Sequence, residues 1–239
     1  MQKTIIILCV LSLIAGCCRQ ATKKQTEDKE TVCEQEKNNE NKKIPSNFDL
    51  EKEFNITDFT IIPDNANFSK YNFIDSIVPN RYYYYWECIF DFLDNNRQIY
   101  VYNGDSLHFA EKTKKIKSNS GFFYECHPDI CFHYIVAIDS SKNIVLINSD
   151  EKFRNFIGKI DNLSEVILIA RLNKLYISNK EKIGGAYKEK EDCYLLYLTE
   201  WENCPYRAFS VRAILYKTGK LIIIDKKMYE ENLEDCTMS

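Results

Sequence analysis

The chain has 239 residues, a net charge of −3, 45% hydrophobic residues and 28% charged ones. That balance describes a globular chain large enough for a real core, and it gives no electrostatic case for nucleic acid, which needs a clustered excess of Lys and Arg. Seven glycines against 16 tyrosines and 14 phenylalanines disfavour a glycine-rich phosphate-binding architecture and favour strands packed with aromatic residues.

The first element is an address. Lys3 supplies a short positive start, Thr4 to Ile14 is apolar, and Leu13-Ile14-Ala15-Gly16-Cys17 closes the run with small residues before a cysteine. The run is too short to span a bilayer and polar chain follows at once, so it reads as a secretory signal. The small-small-Cys ending resembles the lipobox of bacterial lipoproteins. That resemblance covers 17 of 239 residues. It implies cleavage before Cys17, acylation of its sulfur by palmitate-type chains, and a mature protein held to a membrane outside the cytoplasm. Cys18, not aspartate, follows the lipidated cysteine, which in that class implies sorting to the outer membrane of a Gram-negative bacterium. Several acyl chains anchor firmly, since each buried methylene is worth roughly 0.8 kcal/mol.

Residues 17–46 read as the lipidated cysteine and a tether. Large apolar residues are scarce, and Arg19, Lys23, Lys24, Lys29, Lys37, Lys42 and Lys43 are nearly balanced by six acidic residues. Such a segment cannot bury enough surface to offset the entropy of ordering, and as a coil it spans on the order of 30 Å. Residues 47–239 read as a single globular domain.

Within that domain, Asn47 caps a short helix running through Phe54, and Pro63 to Pro79 is irregular. Arg81 to Leu93 and Gln98 to Tyr102 form a hairpin around Asp94-Asn95-Asn96. Ser106 to Lys117 is a weak helix. Three strands follow, Phe122 to Cys126, Cys131 to Ile138 and Ile144 to Ile147, with turn chemistry at His127-Pro128-Asp129-Ile130 and at Asp139 to Asn143. Ser149 caps a helix ended by Gly158. Asp161 caps another, with Leu163, Val166, Ile167, Ala170 and Lys174 on one face. Gly184-Gly185 marks a loop. Cys193 to Thr199, Ala208 to Tyr216 and Leu221 to Ile224 are strands, with turns at Glu200 to Asn203 and Lys217 to Lys220, and Met228 to Leu233 is a terminal helix. The pattern predicts an α+β fold, a largely antiparallel sheet built from hairpins with two central helices packed on it.

Glu125 to His133 is the most chemically loaded segment, holding two of the three histidines, two cysteines and two carboxylates. One reading is a metal site from His127, Asp129 and His133. The other is a Cys126–Cys131 disulfide closing a tight hairpin, favoured because an exported chain meets an oxidising space. Cys193 and Cys204 are a second candidate pair, and Cys236 could staple the C-terminus through Cys88, Cys193 or Cys204. In Arg81 to Glu87, strand alternation puts Tyr82, Tyr84 and Trp86 on one face, a candidate aromatic binding shelf, opposite Tyr83 and Tyr85. No nucleophile elbow and no phosphate loop are present, so no catalytic residue and no cofactor are assigned. Asn55, Asn67 and Asn162 head glycosylation sequons, which a bacterial lipobox makes chance matches.

The leading expectation is a non-catalytic envelope lipoprotein, attached to a membrane through lipid, whose domain binds a protein or a cell-wall ligand. One alternative is a metal-assisted hydrolase using His127, Asp129 and His133. Another is an immunity-type lipoprotein that neutralises a toxin at the envelope.

Overall fold

The computed structural model describes residues 44, 48–63, 73–92, 96–124, 126, 131–178 and 181–233. The chain divides into two units, Met1–Asn41 and Lys42–Ser239, and every described residue belongs to the second. The signal, Cys17 and the tether up to Lys43 therefore lie outside the described residues.

Two antiparallel sheets and four α-helices make this a mixed α+β fold among the described residues. The elements, in order, are α1 (Leu50–Glu53), β1 (Thr60–Ile61), β2 (Tyr83–Phe92), β3 (Asn96–Gly104), α2 (Ser106–Thr113), β4 (Cys131–Asp139) and β5 (Ile144–Ile147), then α3 (Asp150–Ile157), α4 (Leu163–Leu172), β6 (Gly185–Glu189), β7 (Cys193–Asn203), β8 (Tyr206–Tyr216) and β9 (Leu221–Asn232). The first sheet runs β3-β2-β4-β5 and the second β1-β6-β7-β8-β9. Hairpins join neighbours in both, so short local connections build most of the topology, while β1 crosses the chain to pair with β6.

β4 explains the first sheet. Its run Cys-Phe-His-Tyr-Ile-Val-Ala-Ile is buried without alternation, the mark of a strand covered on both faces. Trp86, Cys88, Ile135, Ala137 and Ile147 lie in the main cluster with Phe153, Phe156 and Ile157 of α3 and Val166 to Ala170 of α4. The same cluster contains Tyr194, Leu196, Leu198, Val211, Ala213 and Leu215 of the second sheet. Ile89, Phe132, Tyr134 and Val136 form a separate cluster with Ile116 packed against it.

The helix ends follow local chemistry. Ser149 accepts from the Lys152 N–H to open α3, and Gly158, at φ +72°, closes it. α4 is capped one residue later than expected, by Asn162, whose side chain accepts from the Glu165 N–H at 3.0 Å. Glu165 returns the favour to the entering chain, accepting from the N–H groups of Asp161 and Val78 at 2.7 Å each. Burial, the largest influence on this carboxyl, pushes its pKa up. Residues Glu165 to Arg171 are all buried, so α4 is enclosed all round and not along one stripe. Lys174 is not on that face: it is exposed past the helix end, at φ +59°.

Further expectations are corrected. Met228 to Leu233 is not a helix, because β9 continues to Asn232 and pairs with β8 as far as Tyr206. Glu200 to Asn203 is strand, and the turn is Cys204-Pro205, flanked by the Asn203–Tyr206 pair. Gly185 opens β6 and does not sit in a loop. Between Phe122 and Cys126 the only strand-like feature described is one bridge, Phe122 to His133. The first helix is capped by Asp49, and Asn47 is outside the described residues, as are Asp94 and Asn95 of the predicted turn.

Candidate binding groove

Strand alternation gives the second sheet two unlike faces. Tyr194, Leu196, Val211, Ala213 and Leu215 point into the main core. Cys193, Leu195, Tyr197 and Ile214 point outward and are covered by Phe54 and Phe59, with Phe48, Leu50 and Ile56 packed alongside. That cover spans one part of the outer face and stops. Beyond it lies a half-open groove of about 490 Å³, lined by Ile183, Tyr197, Ser210, Arg212, Asp225, Lys227, Met228 and Tyr229.

Each wall has a local cause. The turn at 182–184 is pressed onto the sheet, where the Ser210 hydroxyl donates to the Ile183 carbonyl at 2.5 Å and the Thr199 hydroxyl to the Gly184 carbonyl at 3.2 Å. A Cβ on Gly184 would lie 2.5 Å from Thr199 Oγ1 and 2.9 Å from Ser178 Cβ, so only glycine allows this approach. On the floor, Arg212 Nε donates to both Asp225 carboxylate oxygens at 2.9 Å, and its Nη2 also reaches Asp225. The hydrogen bonds to Asp225 are the main reason the guanidinium pKa is raised further. The Tyr197 hydroxyl donates to the Phe54 carbonyl at 2.7 Å, and the Tyr229 hydroxyl lies 3.2 Å from that of Thr199. A smaller cavity of about 250 Å³ shares Ile183 and Tyr229 with the groove and adds Ser178, Glu181, Gly184 and Glu230. Tyr229, together with Ile183, therefore lines both cavities. Its position comes from a bulge: Ala208 pairs with Glu230 and Phe209 with Met228, leaving Tyr229 as an extra residue in β9.

The residues singled out from sequence lie elsewhere. Tyr82 is 65% exposed, Tyr84 is half-buried and Trp86 is 2% exposed. A register shift in β2 between Tyr83 and Tyr85 breaks the alternation, so Trp86 shares a face with Tyr83 and both rings meet Phe156 of α3, at 5.6 and 5.2 Å. Trp86 is thus core, and the expected shelf shrinks to Tyr82 and Tyr84, whose rings meet edge-on at 5.2 Å, with Tyr84 backed by Phe109.

Cys126 and Cys131 are joined as a disulfide. The Cys193–Cys204 pair is not formed: Cys193 is a buried free thiol whose pKa burial raises to about 11, while Cys204 is in a disulfide of its own. The second free thiol, Cys88, is buried on β2, and Cys236 lies outside the described residues. Of the metal-site candidates, His127 and Asp129 lie outside the described residues, as do Glu125, Pro128 and Ile130. His133 is fully buried on β4 among the rings of Phe90, Tyr100, Phe122 and Phe123, at 4.9 to 6.2 Å. Desolvation lowers its pKa to about 3, opposed by a hydrogen bond with the Phe123 backbone. Among the described residues no group of three or more His, Cys, Asp or Glu could hold a metal ion, and no helix is long and apolar enough to cross a membrane.

Sequence reasoning missed the groove. Its local signal was Ser210 and Arg212 alternating with apolar Phe209, Val211 and Ala213 on β8, which marks the face left uncovered. Compared with known proteins, the chain matches no family model, no curated protein and no solved structure.

Proposed function

We propose that this chain is a cell-envelope lipoprotein, held to the outer membrane by acyl chains on Cys17, whose 47–239 domain binds a cell-wall glycan in the groove of the second sheet. The observation that carries the binding reading is the groove itself. It places the ring of Tyr229 beside Ser210, Lys227 and the paired Arg212 and Asp225. Rings that stack on sugar faces next to fixed donors and acceptors for hydroxyl groups are the combination a glycan needs. In this reading α3 and α4 are the two central helices, a rigid layer between the sheets that keeps the groove in shape. His133, enclosed by aromatic rings, favours binding over the metal-assisted hydrolase.

Two measurements test the two halves of the proposal. Cys17→Ala is expected to release the protein from the membrane fraction, and unchanged partitioning would overturn the anchor. Co-sedimentation with purified cell-wall sacculi tests the groove. Tyr229→Ala is expected to weaken binding about tenfold, the loss of one ring contact of about 1.4 kcal/mol. A wild-type protein that stays in the supernatant, or a variant that sediments equally well, would sink the glycan reading.

A further inference from the structure

We infer that β9 is a self-complementary edge that pairs antiparallel with β9 of a second copy of this chain, joining two five-stranded sheets into one of ten strands. β9 is 12 residues long and ends its sheet, with a strand neighbour on the β8 side only among the described residues. A strand edge of that length is a template for another strand unless something blocks it. Lysines alone would block it, since two copies would meet with like charges.

Here the signs are divided. The strand reads Asp225-Lys226-Lys227-Met228-Tyr229-Glu230-Glu231-Asn232. Laid antiparallel to itself about a two-fold axis between Met228 and Tyr229, it sets Lys227 opposite Glu230 and Lys226 opposite Glu231. Symmetry repeats both pairs. Asp225 then meets Asn232, and Ile224 meets Leu233. Opposite charges directly across an antiparallel pair attract, and this register makes no like-charge pair between Ile224 and Leu233.

The faces must also agree, because a two-fold axis perpendicular to a sheet keeps each face on its own side. In a regular strand Lys227 and Glu230, three residues apart, would point to opposite faces and the pairing would fail. The bulge at Tyr229 removes that conflict. Lys227 stands opposite Ser210 and Glu230 opposite Ala208, two residues apart on unbroken β8, so both point outward. Lys226 stands opposite Val211 and Glu231 opposite Arg207, four residues apart on β8, so both point inward. The bulge that positions Tyr229 thus also makes the charge pattern symmetric face by face.

Neighbouring contacts support the arrangement. Lys226 bonds to Glu200 at 2.9 Å and Arg207 to Glu231 at 2.7 Å within one chain, so pairing would link them into a row of alternating sign across the junction. Met228, 45% exposed, and Leu233, 69% exposed, are apolar side chains on or just beyond this strand that a second copy would cover. The groove lies on the outward face beside the same edge, so the dimer carries two grooves side by side. The pairing is independent of what the groove binds.

Sedimentation velocity of the full chain in detergent tests this. The wild-type chain is expected to dimerise, more weakly as salt rises from about 0.05 to about 0.5 M because screening acts on exposed ion pairs. Lys226→Glu with Lys227→Glu, and separately Glu230→Lys with Glu231→Lys, should each weaken the dimer at least about tenfold by placing like charges across the axis. An equimolar mixture of the two variants should recover dimer at the wild-type level. A wild-type chain that stays monomeric at about 100 μM, a dimer that salt leaves unchanged, variants that dimerise as well as the wild type, or a mixture of folded variants that stays monomeric would each overturn the proposal. The salt series needs no variant, so misfolding of either double variant leaves the test intact.

Discussion

Replacing Arg97 with alanine is expected to destabilise the domain by about 3–5 kcal/mol, the range for removing one partner of a buried ion pair. Glu87 is fully buried on β2, and its carboxylate has two partners. One oxygen receives the Tyr85 hydroxyl at 2.7 Å and the other receives Arg97 Nη2. Arg97 reaches from β3 and also donates to the Lys114 and Thr113 carbonyls at the end of α2. It therefore neutralises Glu87 and ties α2 to the face of the first sheet at once. Without it, the fully buried Glu87 carboxylate loses its counter-ion. The double variant Glu87→Leu with Arg97→Met removes both charges, and it should recover at least half of the loss even though Tyr85 and two carbonyls lose a partner. Urea midpoints of wild type, single and double variants check this. A single variant within about 1 kcal/mol of wild type, or a double variant no better than the single, would refute the account.

Acidification is expected to unfold the domain through His133. Its ordinary pKa of 6.5 falls to about 3 in the fold, because burial among aromatic rings penalises the charged imidazole. The unfolded chain therefore binds this proton first. Between about pH 6.5 and about pH 3 the unfolded state carries more protons at this site, so stability falls with falling pH and is fully present above pH 6.5. The slope is about 1.4 kcal/mol per pH unit, or about 2 kcal/mol lost at this site by pH 5. Glu165, whose pKa burial raises, works in the opposite sense, gaining relative stability as pH falls. The comparison that isolates His133 is His133→Phe, which keeps Glu165 and replaces the imidazole with a ring of similar shape. Denaturation at pH 7.5 and pH 5 should show the acid loss in wild type and about 2 kcal/mol less of it in the variant. Equal losses in both proteins would exclude His133 as the source.

Local chemistry decided much of the secondary structure, so those parts were readable in the chain. Ser149 and Gly158 bracket α3 because a hydroxyl cap and a left-handed glycine act within one turn of helix. The Lys217 to Lys220 turn joins β8 to β9 for the same reason, with Gly219 at φ +86°. The β2–β3 hairpin and β4 and β5 also follow from strand-like runs between turn residues. Where a contact lies far away in sequence, local reading failed. Met228 to Leu233 has the composition of a helix, yet pairing with β8 satisfies its backbone as strand. Trp86 changed faces because one bulge in β2 reverses the parity of every later residue on that strand.

By itself the sequence determined the class of the domain, its antiparallel hairpins and its helix caps, since these depend on alternation, turns and hydrogen bonds a few residues apart. The proposed anchor at Cys17 rests on the same kind of contiguous signal. Only the tertiary structure decided which sheet face stays open, that Cys193 and Cys204 do not pair, and that Glu87 and His133 lie in the interior, with Arg97 half-buried beside Glu87. Those outcomes depend on which distant segments cover which strands. The groove is the clearest case. Its walls come from the turn at 182–184 and from β7, β8 and β9, and the cover supplied by Phe48 to Phe59 stops at its rim, where Phe54 meets Tyr197 and Arg212.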